Sequence, residues 1–599
     1  MSRATLFPDS GDPKRSAVEI AAAVREGRTT AAAIARDTLT RILAYDEVQP
    51  QVWIARFSDA GVLEAASEVD RRMAAGEALP LAGVTFAIKD NIDVRGLPTT
   101  AGCPEFAYWP ERSAAVVERL LYAGAVVIGK TNLDQFATGL NGTRSPHGSP
   151  CCVFNRSYIS GGSSSGSAVA VAAGLVPVAL GSDTAGSGRV PAAFNNLIGL
   201  KPSKGRWSTR GLVPACRSLD CISLLANDVA DARLVDGVLT APDAEDDYSR
   251  ILPDRTLGTR IGVPLPGQRR WFGDGQSPAL YEAAICGART AGFEIVQIDL
   301  DFLDHAAALL YQGPWVAERT AAIGPFLRDR PDAGHSVVRT IVQSGYGISA
   351  VDAFRGHYAL QRYIGLAERM WSAVDALLLP TAPTIYRTCE MLAEPIALNS
   401  NLGAYTNFVN LLDMSALAVP AGFRANGTGF GVTLIAAAGA DRALLAMADQ
   451  LRDVALPAPP PPLDLEGVME TVQLAVVGAH LRGMPLHWQL TSRHARFVGV
   501  AKTAQVYRLY AIADSIPPKP ALVYSGSGAT IEVEIFELEV SAFGSFVVDV
   551  PAPLAIGSIT LEDGSVVKGF VAEPRATDGA EEITSYGGWR AFVASRAAV

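Results

Sequence analysis

The stretch GGSSSGSAVAVAAGLVPVALGSDTAGSGRVPAA, residues 161–193, joins two loops rich in glycine and serine through a run of small apolar residues. Its middle, AVAVAAGLVPVAL, predicts a helix of small residues followed by a short apolar strand, because a flexible linker would not contain so apolar a run. Glycine lets a backbone approach a ligand closely and turn its N–H groups inward, which suits an oxyanion site. A phosphate loop is excluded, since the motif G-x-x-x-x-G-K-[ST] is absent.

The segments on either side of this stretch alternate between strand-like and helix-like patterns. GVTFAI (83–88) and AGAVVIG (123–129) have the apolar character of buried strands, and SAAVVERLLY (113–122) has helical spacing. Residues 15–46 predict two short helices separated at Gly27, the second beginning after the cap signal Thr29-Thr30. This alternation continues to about residue 455 and predicts an α/β domain.

A proline-rich segment marks a predicted domain boundary. LPAPPPPLDLEG (456–467) contains five prolines and cannot continue a helix or a central strand. We therefore predict a first domain over 1–455, a linker over 456–466 and a second domain over 467–599. The runs VQLAVVGAH, ATIEVEIFELEV and SFVVDV, separated by Pro and Gly turns, predict that the second domain is mainly β.

The composition restricts the classes of function. The chain has 599 residues, 49% of them hydrophobic and 19% charged, which predicts a compact globular protein rather than a disordered one. Its net charge of −10 provides no cationic field for nucleic acid or anionic lipid. No apolar run is long enough for a membrane span and none opens the chain, so we expect a cytoplasmic protein. The seven cysteines, Cys151 and Cys152 among them, are expected to be free thiols rather than metal ligands or disulfides.

A nucleophilic serine in the 161–193 stretch would need a base, because an unactivated hydroxyl is a poor nucleophile at neutral pH. The first 300 residues contain one histidine, His147, so a relay of Ser, His and Asp would depend on that residue. Lys89 is the other candidate. It directly follows the strand-like run GVTFAI, where partial desolvation would lower its pKa toward usable basicity.

Three separated motifs resemble the amidase signature family: AIKDNIDV with Lys89, GGSSSG with Ser163, and GSDTAGSGRVPAA with Ser187. The resemblance implies a large domain with a mixed β-sheet core covered by helices, and a triad of Ser, cis-Ser and Lys that needs no cofactor. It assigns Ser187 as the nucleophile, Ser163 as the bridging serine and Lys89 as the base. The oxyanion hole would be formed by backbone N–H groups of four consecutive residues: Thr184, Ala185, Gly186 and Ser187.

Further segments are similar to the allophanate hydrolase branch of that family: NLDQFATGLNGTRSPHG (132–148), AAFNNLIGLKPSKG (192–205) and STRGLVPACRSLDCIS (208–223). Allophanate is a urea that bears a carboxylate, and a buried Arg can hold such a group bidentately. The resemblance implies that Tyr311 and Arg319 hold the substrate carboxylate and that Gly139 offers a backbone contact. It also implies a homodimer and, upstream, a biotin-dependent urea carboxylase.

Residues 476–510 resemble the C-terminal domain of allophanate hydrolases, which is similar in outline to γ-glutamyl cyclotransferase folds. The resemblance implies a second activity, decarboxylation of N-carboxycarbamate, and places His480 in a loop after the first strand and Glu534 inside a strand. The spacing of His480, His487 and His494 does not predict a metal site. Seven-residue intervals on a strand and loop do not by themselves bring side chains into tetrahedral coordination of a metal ion.

Three alternative functions stay open at this point. The chain could be a general small-amide amidase, a glutamine amidotransferase subunit that is inactive without its partners, or a non-catalytic scaffold whose C-terminal domain serves oligomerisation. The intact Lys89, Ser163 and Ser187 argue against the scaffold, and residues 467–599 argue against the amidotransferase subunit.

Overall fold

The computed structural model describes residues 15–454, 461–465, 471–493, 495–512, 515 and 517–597. The chain divides into two compact units, Met1–Gly467 and Val468–Val599. No helix among the described residues is both long enough and apolar enough to cross a membrane. His494, the third member of the histidine series, lies outside the described residues.

Within the described part of the first unit, one mixed sheet of eleven strands forms the centre. Its spatial order is β1-β3-β2-β4-β6-β5-β10-β11-β9-β7-β8. The pairs β3–β2, β2–β4, β9–β7 and β7–β8 are parallel, and the other neighbours are antiparallel. The strands are β1 (Trp53–Arg56), β2 (Thr85–Lys89), β3 (Val126–Thr131), β4 (Val178–Asp183), β5 (Ile198–Lys201), β6 (Cys221–Ala226), β7 (Arg260–Pro264), β8 (Glu294–Ile298), β9 (Ala376–Pro380), β10 (Met414–Phe423) and β11 (Gly429–Ala437).

Helices cover both faces of this sheet. They are α1 (Ala17–Arg25), α2 (Ala31–Asp46), α3 (Asp59–Ala74), α4 (Ala115–Tyr122), α5 (Ser165–Ala172), α6 (Arg189–Phe194), α7 (Val229–Leu239), α8 (Ser277–Thr290), α9 (Asp301–Tyr311), α10 (Trp315–Asp329), α11 (Ser336–Ser344), α12 (Ala350–Ala373), α13 (Thr388–Ala393), α14 (Ala397–Leu402), α15 (Phe408–Leu411) and α16 (Asp441–Val454).

The central strands are buried on both faces because their side chains alternate between two separate apolar cores. In β2, Phe86 and Ile88 pack into one core and Ala87 packs into the other. In β10, Leu417 and Ala418 divide between the same two cores. Strands covered on both sides read as continuous apolar runs, which is why GVTFAI and AGAVVIG are conspicuous in the sequence.

The structure confirms the predicted α/β class and the mixed sheet core covered by helices. Residues 15–46 form two helices, α1 and α2, and the Thr30 side chain caps α2 by accepting a hydrogen bond from the N–H of Ala33. The 161–193 stretch forms α5, β4 and the start of α6, with a loop before α5 and another after β4. All eight residues of α5 are buried, so their small side chains let this helix pack tightly in the interior.

The predicted linker, 456–466, lies outside the described residues except for 461–465. That short piece packs against the first unit. The N–H of Asp464 donates to the carbonyl of Val153 at 2.8 Å, and one Asp464 carboxylate oxygen accepts from the N–H of Arg156 at 2.8 Å. Leu463 and Leu465 are partly buried against one core of the first unit. This part of the segment is therefore anchored rather than an open spacer.

The second unit is rich in β structure, as predicted. One sheet has the order β13-β16-β12-β18-β17 and the other β15-β14-β19. The strands are β12 (Thr471–Val476), β13 (Arg496–Lys502), β14 (Tyr507–Ala511), β15 (Pro520–Tyr524), β16 (Glu532–Glu539), β17 (Leu554–Thr560), β18 (Val566–Ala572) and β19 (Glu581–Glu582), and the helices are α17 (Trp488–Thr491), α18 (Val540–Val548) and α19 (Trp589–Ala597).

One local prediction in this unit is wrong. The run SFVVDV, residues 545–550, has a strand-like composition, but its first four residues form the end of α18. Phe543 and Phe546 both face the apolar core of the unit, while Val548 is exposed. That three-residue spacing of core-facing side chains belongs to a helix, and it overrides the β propensity of the two valines.

Candidate active site

Lys89 is the last residue of β2, and its side chain is completely buried. Its Nζ donates hydrogen bonds to Ser163 Oγ at 2.7 Å and to Ser182 Oγ at 2.8 Å. Parallel pairing sets β2 beside β4, the strand that carries Ser182. The lysine therefore extends from the end of one strand to the hydroxyl of the neighbouring strand and to the serine loop before α5.

Burial lowers the pKa of Lys89 to about 7, because an ammonium group is costly in a dry environment. The carboxylates of Asp134, Asp183 and Asp220 oppose this effect, and the positive charge of Arg319 adds to it. A lysine with a pKa near neutrality can lose its proton and act as a general base at physiological pH.

This pKa sets the expected pH dependence of any reaction in which Lys89 acts as the base. Because the base must be neutral, kcat/KM should rise by about tenfold per pH unit below pH 7 and level off above it. The measurement is the initial reaction rate between pH 5 and 9. The Arg319→Ala variant removes a positive charge that favours neutral Lys89, so its midpoint should move to higher pH. A profile that stays flat from pH 5 to 9 would exclude Lys89 as the titrating base.

The loop of Ser163 and the turn of Ser187 are joined through their backbones. The N–H of Ser164 donates to the carbonyl of Ser187 at 3.2 Å, and the peptide bond between Gly162 and Ser163 is cis. Ser187 Oγ donates a long hydrogen bond, 3.4 Å, to the carbonyl of Gly139. A Cβ at Gly162 would lie 2.3 Å from Asp134 Oδ2, so glycine is required at the position before Ser163. Lys89, Ser163 and Ser187 therefore occupy one buried centre.

Asp183 organises the turn that presents Ser187. Its carboxylate accepts from the N–H groups of Gly186 and Gly188 and forms a buried bidentate ion pair with Arg189. The N–H groups of Thr184, Ala185 and Ser187 have no acceptor among the described residues, so they are available to a ligand. The N–H of Gly186 is already used by Asp183, which removes one of the four predicted oxyanion donors.

Thr184 also belongs to this turn, and its hydroxyl donates to the carboxylate of Asp220. Gly186 adopts a φ of +124°, and a Cβ there would lie 2.4 Å from Thr406 Oγ1. The turn can therefore form only with glycine at this position. The DTAGSGR pattern combines a charged pair for rigidity with glycines for close approach.

Arg319, on α10, is buried next to Tyr311 at the end of α9. Its Nη2 donates to the Tyr311 hydroxyl at 3.3 Å and its Nη1 donates to Thr138 Oγ1 at 2.9 Å. Its Nε is buried without a hydrogen-bond partner, and none of the described carboxylates forms an ion pair with it. Thr138 adjoins Gly139, whose carbonyl accepts from Ser187. The guanidinium thus has no ion-pair partner among the described carboxylates, although against the effect of burial the charges of Asp220 and Glu318 raise its pKa. Its place close to the nucleophile candidate suits a small anionic ligand.

Sequence reasoning did not identify three polar residues that support this centre. Ser182, like Ser163, accepts a hydrogen bond from Lys89 Nζ, and its Oγ also accepts one from Asn91 Nδ2 at 3.1 Å. Asp134 accepts from the N–H groups of three residues in the loop that contains Gly139: Asn141, Gly142 and Arg144. Asp183 holds the Ser187 turn. The signal available for Asp183 was its place as the first residue of DTAGSGR, but its partners could not be identified without coordinates.

His147, the other base considered, has no hydrogen bond to Ser163 or Ser187. Its backbone N–H donates to Ser145 Oγ at 3.2 Å, and its ring Nε2 is buried without a partner among the described residues. The described residues contain no group of three or more His, Cys, Asp or Glu side chains that could hold a metal ion. The geometry thus joins Ser163 to Lys89 and gives the histidine no part in the serine centre.

In the second unit, His480 follows β12 and lines a cavity of about 210 Å³. Burial lowers the pKa of its imidazole, with a further lowering from the positive charge of Lys519, while its hydrogen bond to Gln489 acts in the opposite direction. His487 Nδ1 lies 3.3 Å from the carbonyl of His480, so His487 supports the loop.

Glu534, on β16, is not among the residues that line this cavity. Its carboxylate accepts from the N–H of Arg482 at 2.8 Å and from Arg590 Nη2 at 2.8 Å. These arginine contacts hold the pKa of Glu534 below its usual value, although burial opposes them. The structure therefore separates the two predicted residues. His480 lines the cavity, whereas Glu534 anchors the loop through Arg482.

Family models match nearly the whole described chain. A model described as Amidase matches residues 37–445, and one described as Allophanate hydrolase C-terminal domain matches residues 472–594. The urea amidolyase of Saccharomyces cerevisiae is 44% identical over 544 residues, 86% of this chain and 30% of the relative. The chain thus spans about a third of the length of the urea amidolyases that it matches. A glutamyl-tRNA(Gln) amidotransferase subunit from Deinococcus deserti is 34% identical, and 73% of this chain covers 96% of its length.

A solved structure covers both units. The allophanate hydrolase of Kluyveromyces lactis aligns with 95% of this chain and 98% of its own length, at 41% identity and a TM-score of 0.69.

Proposed function

The chain belongs to the amidase family, and from this premise we propose that it hydrolyses allophanate to N-carboxycarbamate and ammonia in its first unit and removes carbon dioxide from that product in its second. Both family matches and the similarity to the K. lactis allophanate hydrolase support this proposal. It is also supported by a buried centre that contains a serine, a lysine and an arginine without an ion-pair partner among the described residues.

The observation that carries the choice of substrate is the buried guanidinium of Arg319. Its buried Nε has no hydrogen-bond acceptor, and the guanidinium forms no ion pair with the described carboxylates, which is costly in a protein interior. A ligand carboxylate would remove that cost. Glutamine and simple amides offer no such group next to the scissile amide, whereas allophanate carries a carboxylate on the same small skeleton as its amide.

In the proposed first step, neutral Lys89 takes the proton of Ser163 while Ser163 takes the proton of Ser187. Ser187 Oγ bonds to the terminal amide carbon, and the carbonyl electron pair moves to the oxygen, where the N–H groups of Ala185 and Ser187 stabilise the charge. The C–N bond then breaks, and the same relay returns the proton so that ammonia leaves. Water attacks the acyl–serine ester by the reverse route and releases N-carboxycarbamate.

In the proposed second step, the His480 imidazole takes a proton from solvent and passes it to the nitrogen of N-carboxycarbamate. The bond between that nitrogen and one carboxylate carbon breaks, its electron pair stays on nitrogen, and carbon dioxide leaves. Carbamate remains and decomposes to ammonia and carbon dioxide in water. Each allophanate therefore yields two ammonia and two carbon dioxide without any cofactor.

The remaining expectations concern the setting of the enzyme. The name urea amidolyase on long relatives supports a link to a urea carboxylase that supplies allophanate, and we propose that a biotin-dependent enzyme does so. A homodimer and a cytoplasmic location stay predictions. The predicted domain limits, 1–455 and 467–599, likewise stay a proposal.

The substrate choice is tested by comparing ammonia release from allophanate, biuret, malonamide and glutamine. We expect a strong preference for allophanate. Biuret and malonamide carry no anionic group, and the carboxylate of glutamine lies much farther from its side-chain amide than that of allophanate does. Arg319→Ala should raise KM for allophanate by about 100-fold while kcat falls much less, since a charged hydrogen bond is lost in ground and transition states alike. The KM values for biuret and malonamide should change little.

Arg328, exposed on the same helix, provides the matched control. Arg328→Ala should leave KM unchanged. Faster turnover of glutamine than of allophanate by the unmodified chain would contradict the proposed function and favour an amidotransferase role.

A further inference from the structure

The cavity of the second unit contains polar groups that the proposed function does not use. Besides His480, its lining includes Gln489, on α17, and Lys519, directly before β15. The cavity volume of about 210 Å³ admits a small molecule of few heavy atoms. These groups could bind and orient the substrate of the proposed decarboxylation, so their role rests on that proposed function.

The ring of His480 is fixed in place on three sides. It stacks on Phe570 with ring centroids 4.9 Å apart and meets the edge of Phe546 at 5.2 Å. Its Nε2 lies 2.7 Å from the side-chain oxygen of Gln489. An amide oxygen only accepts hydrogen bonds, so Nε2 must carry the proton of the neutral ring. Nδ1 then holds the free lone pair.

Nδ1 has no hydrogen-bond partner among the described residues, and the His480 side chain is half-buried. Because His480 lines the cavity, this nitrogen can exchange a proton with a ligand there. Gln489 thus determines that Nδ1 is the reactive nitrogen, because it occupies Nε2. Gln489 does this without contacting the ligand.

The charges around the cavity favour an anion. Lys519 is half-buried, and its Nζ forms no ion pair with the described carboxylates. The one carboxylate in the lining, Asp549, is paired with Arg493 at 2.6 Å. Three basic residues contribute to the lowered pKa of His480 through their charges: Lys519, His487 and Arg493. Only Lys519 among them both lines the cavity and lacks a partner.

We propose that Lys519 binds a carboxylate of a small dicarboxylate in this cavity and that Gln489 is the positioning residue that fixes His480 with Nδ1 as its reactive nitrogen. The ligand class follows from the first unit, whose proposed product carries two carboxylates on one nitrogen. One carboxylate would be held by Lys519, so that the nitrogen lies within reach of His480.

The test uses the full chain with ¹³C-labelled allophanate and follows two signals, ammonia release and the steady-state level of N-carboxycarbamate by NMR. Lys519→Ala should raise that level by about tenfold, because a hydrogen bond to a charged group is lost. Lys519→Arg should restore most of the native level. Lys568→Ala removes an exposed lysine elsewhere in the same unit and should change nothing. Unchanged initial release of the first ammonia shows that the first unit is intact in each variant, and the recovery in Lys519→Arg shows that the second unit is folded.

Gln489 is tested by ¹⁵N NMR of labelled histidine, with His480→Gln assigning the resonance. The native chain should show the Nε2–H tautomer. Gln489→Ala should give a mixture of tautomers and a several-fold higher N-carboxycarbamate level, whereas Gln489→Glu keeps the acceptor and should keep the tautomer. Gln505→Ala, at an exposed position, is the control.

The outcomes separate this inference from the proposed function. If His480→Ala leaves the N-carboxycarbamate level at its native value, the decarboxylation assigned to the second unit is wrong. If His480→Ala raises the level but Lys519→Ala behaves like Lys568→Ala, the anion-binding role is overturned and the decarboxylation stands. An unchanged tautomer in Gln489→Ala overturns the positioning role.

Discussion

Replacing Ser187 by alanine is expected to lower kcat for ammonia release from allophanate by roughly 10⁴-fold or more, because loss of a nucleophile removes the covalent route entirely. The turn around Ser187 should survive the change. Its conformation depends on the Asp183–Arg189 ion pair and on the glycines, not on the hydroxyl, whose single long hydrogen bond goes to Gly139. The substrate should therefore still bind, with a Kd close to the native KM.

The measurement is a single-turnover experiment with a trapping step for the acyl–serine intermediate. Ser167→Ala is the matched control, since Ser167 is also a buried serine and its Oγ bonds to Thr131 and Leu180 rather than to the site. The control should keep kcat within about tenfold of native, because it removes only a structural hydrogen bond. Near-native turnover by Ser187→Ala would refute the nucleophile assignment.

Replacing Lys89 by alanine should reduce kcat by about 10³-fold or more, because Ser163 then has no base to accept its proton. Lys89→Arg should be equally inactive, since a guanidinium stays protonated at all accessible pH values. Both variants should lose the rise in activity around pH 7. Small primary amines in the assay buffer should restore part of the activity of Lys89→Ala by occupying the vacated space.

Lys201→Met provides the control for loss of a buried ammonium. Lys201 is completely buried on β5, and its Nζ donates to the carbonyl of Pro202 at 2.7 Å. This change should lower the melting temperature while kcat of the folded fraction stays near native. If Lys89→Ala lowers only the melting temperature and keeps kcat, the lysine has a structural role and the relay is wrong.

Much of the fold could be predicted from the sequence because buried strands have a distinctive apolar pattern. The runs before Lys89 and before Lys130 are apolar without alternation, as expected for strands covered on both faces, and they form β2 and β3. The SFVVDV run failed as a prediction because short apolar runs do not distinguish a strand from a helix end. Only packing around Phe543 and Phe546 resolved that ambiguity.

Site residues could be predicted from the sequence only where they lie within short motifs. GGSSSG and DTAGSGR place reactive hydroxyls beside glycines, so Ser163 and Ser187 could be named as candidates from sequence. Ser182 could not, because its role comes from the pairing of β2 with β4, which brings residues 93 positions apart within 2.8 Å. Gln489 and Lys519 escaped notice for the same reason, since a cavity is not visible in a sequence.

Local residue types and spacing were enough to predict the secondary structure of the central strands, the serine and glycine loops, and the candidate residues of the triad. Three properties depend on the folded chain: burial lowers the pKa of Lys89 to about 7, the N–H of Gly186 donates to Asp183, and the Nε of Arg319 has no hydrogen-bond partner. Such properties arise from groups far apart in the chain, whose desolvation and pairing exist only once the sheet has assembled.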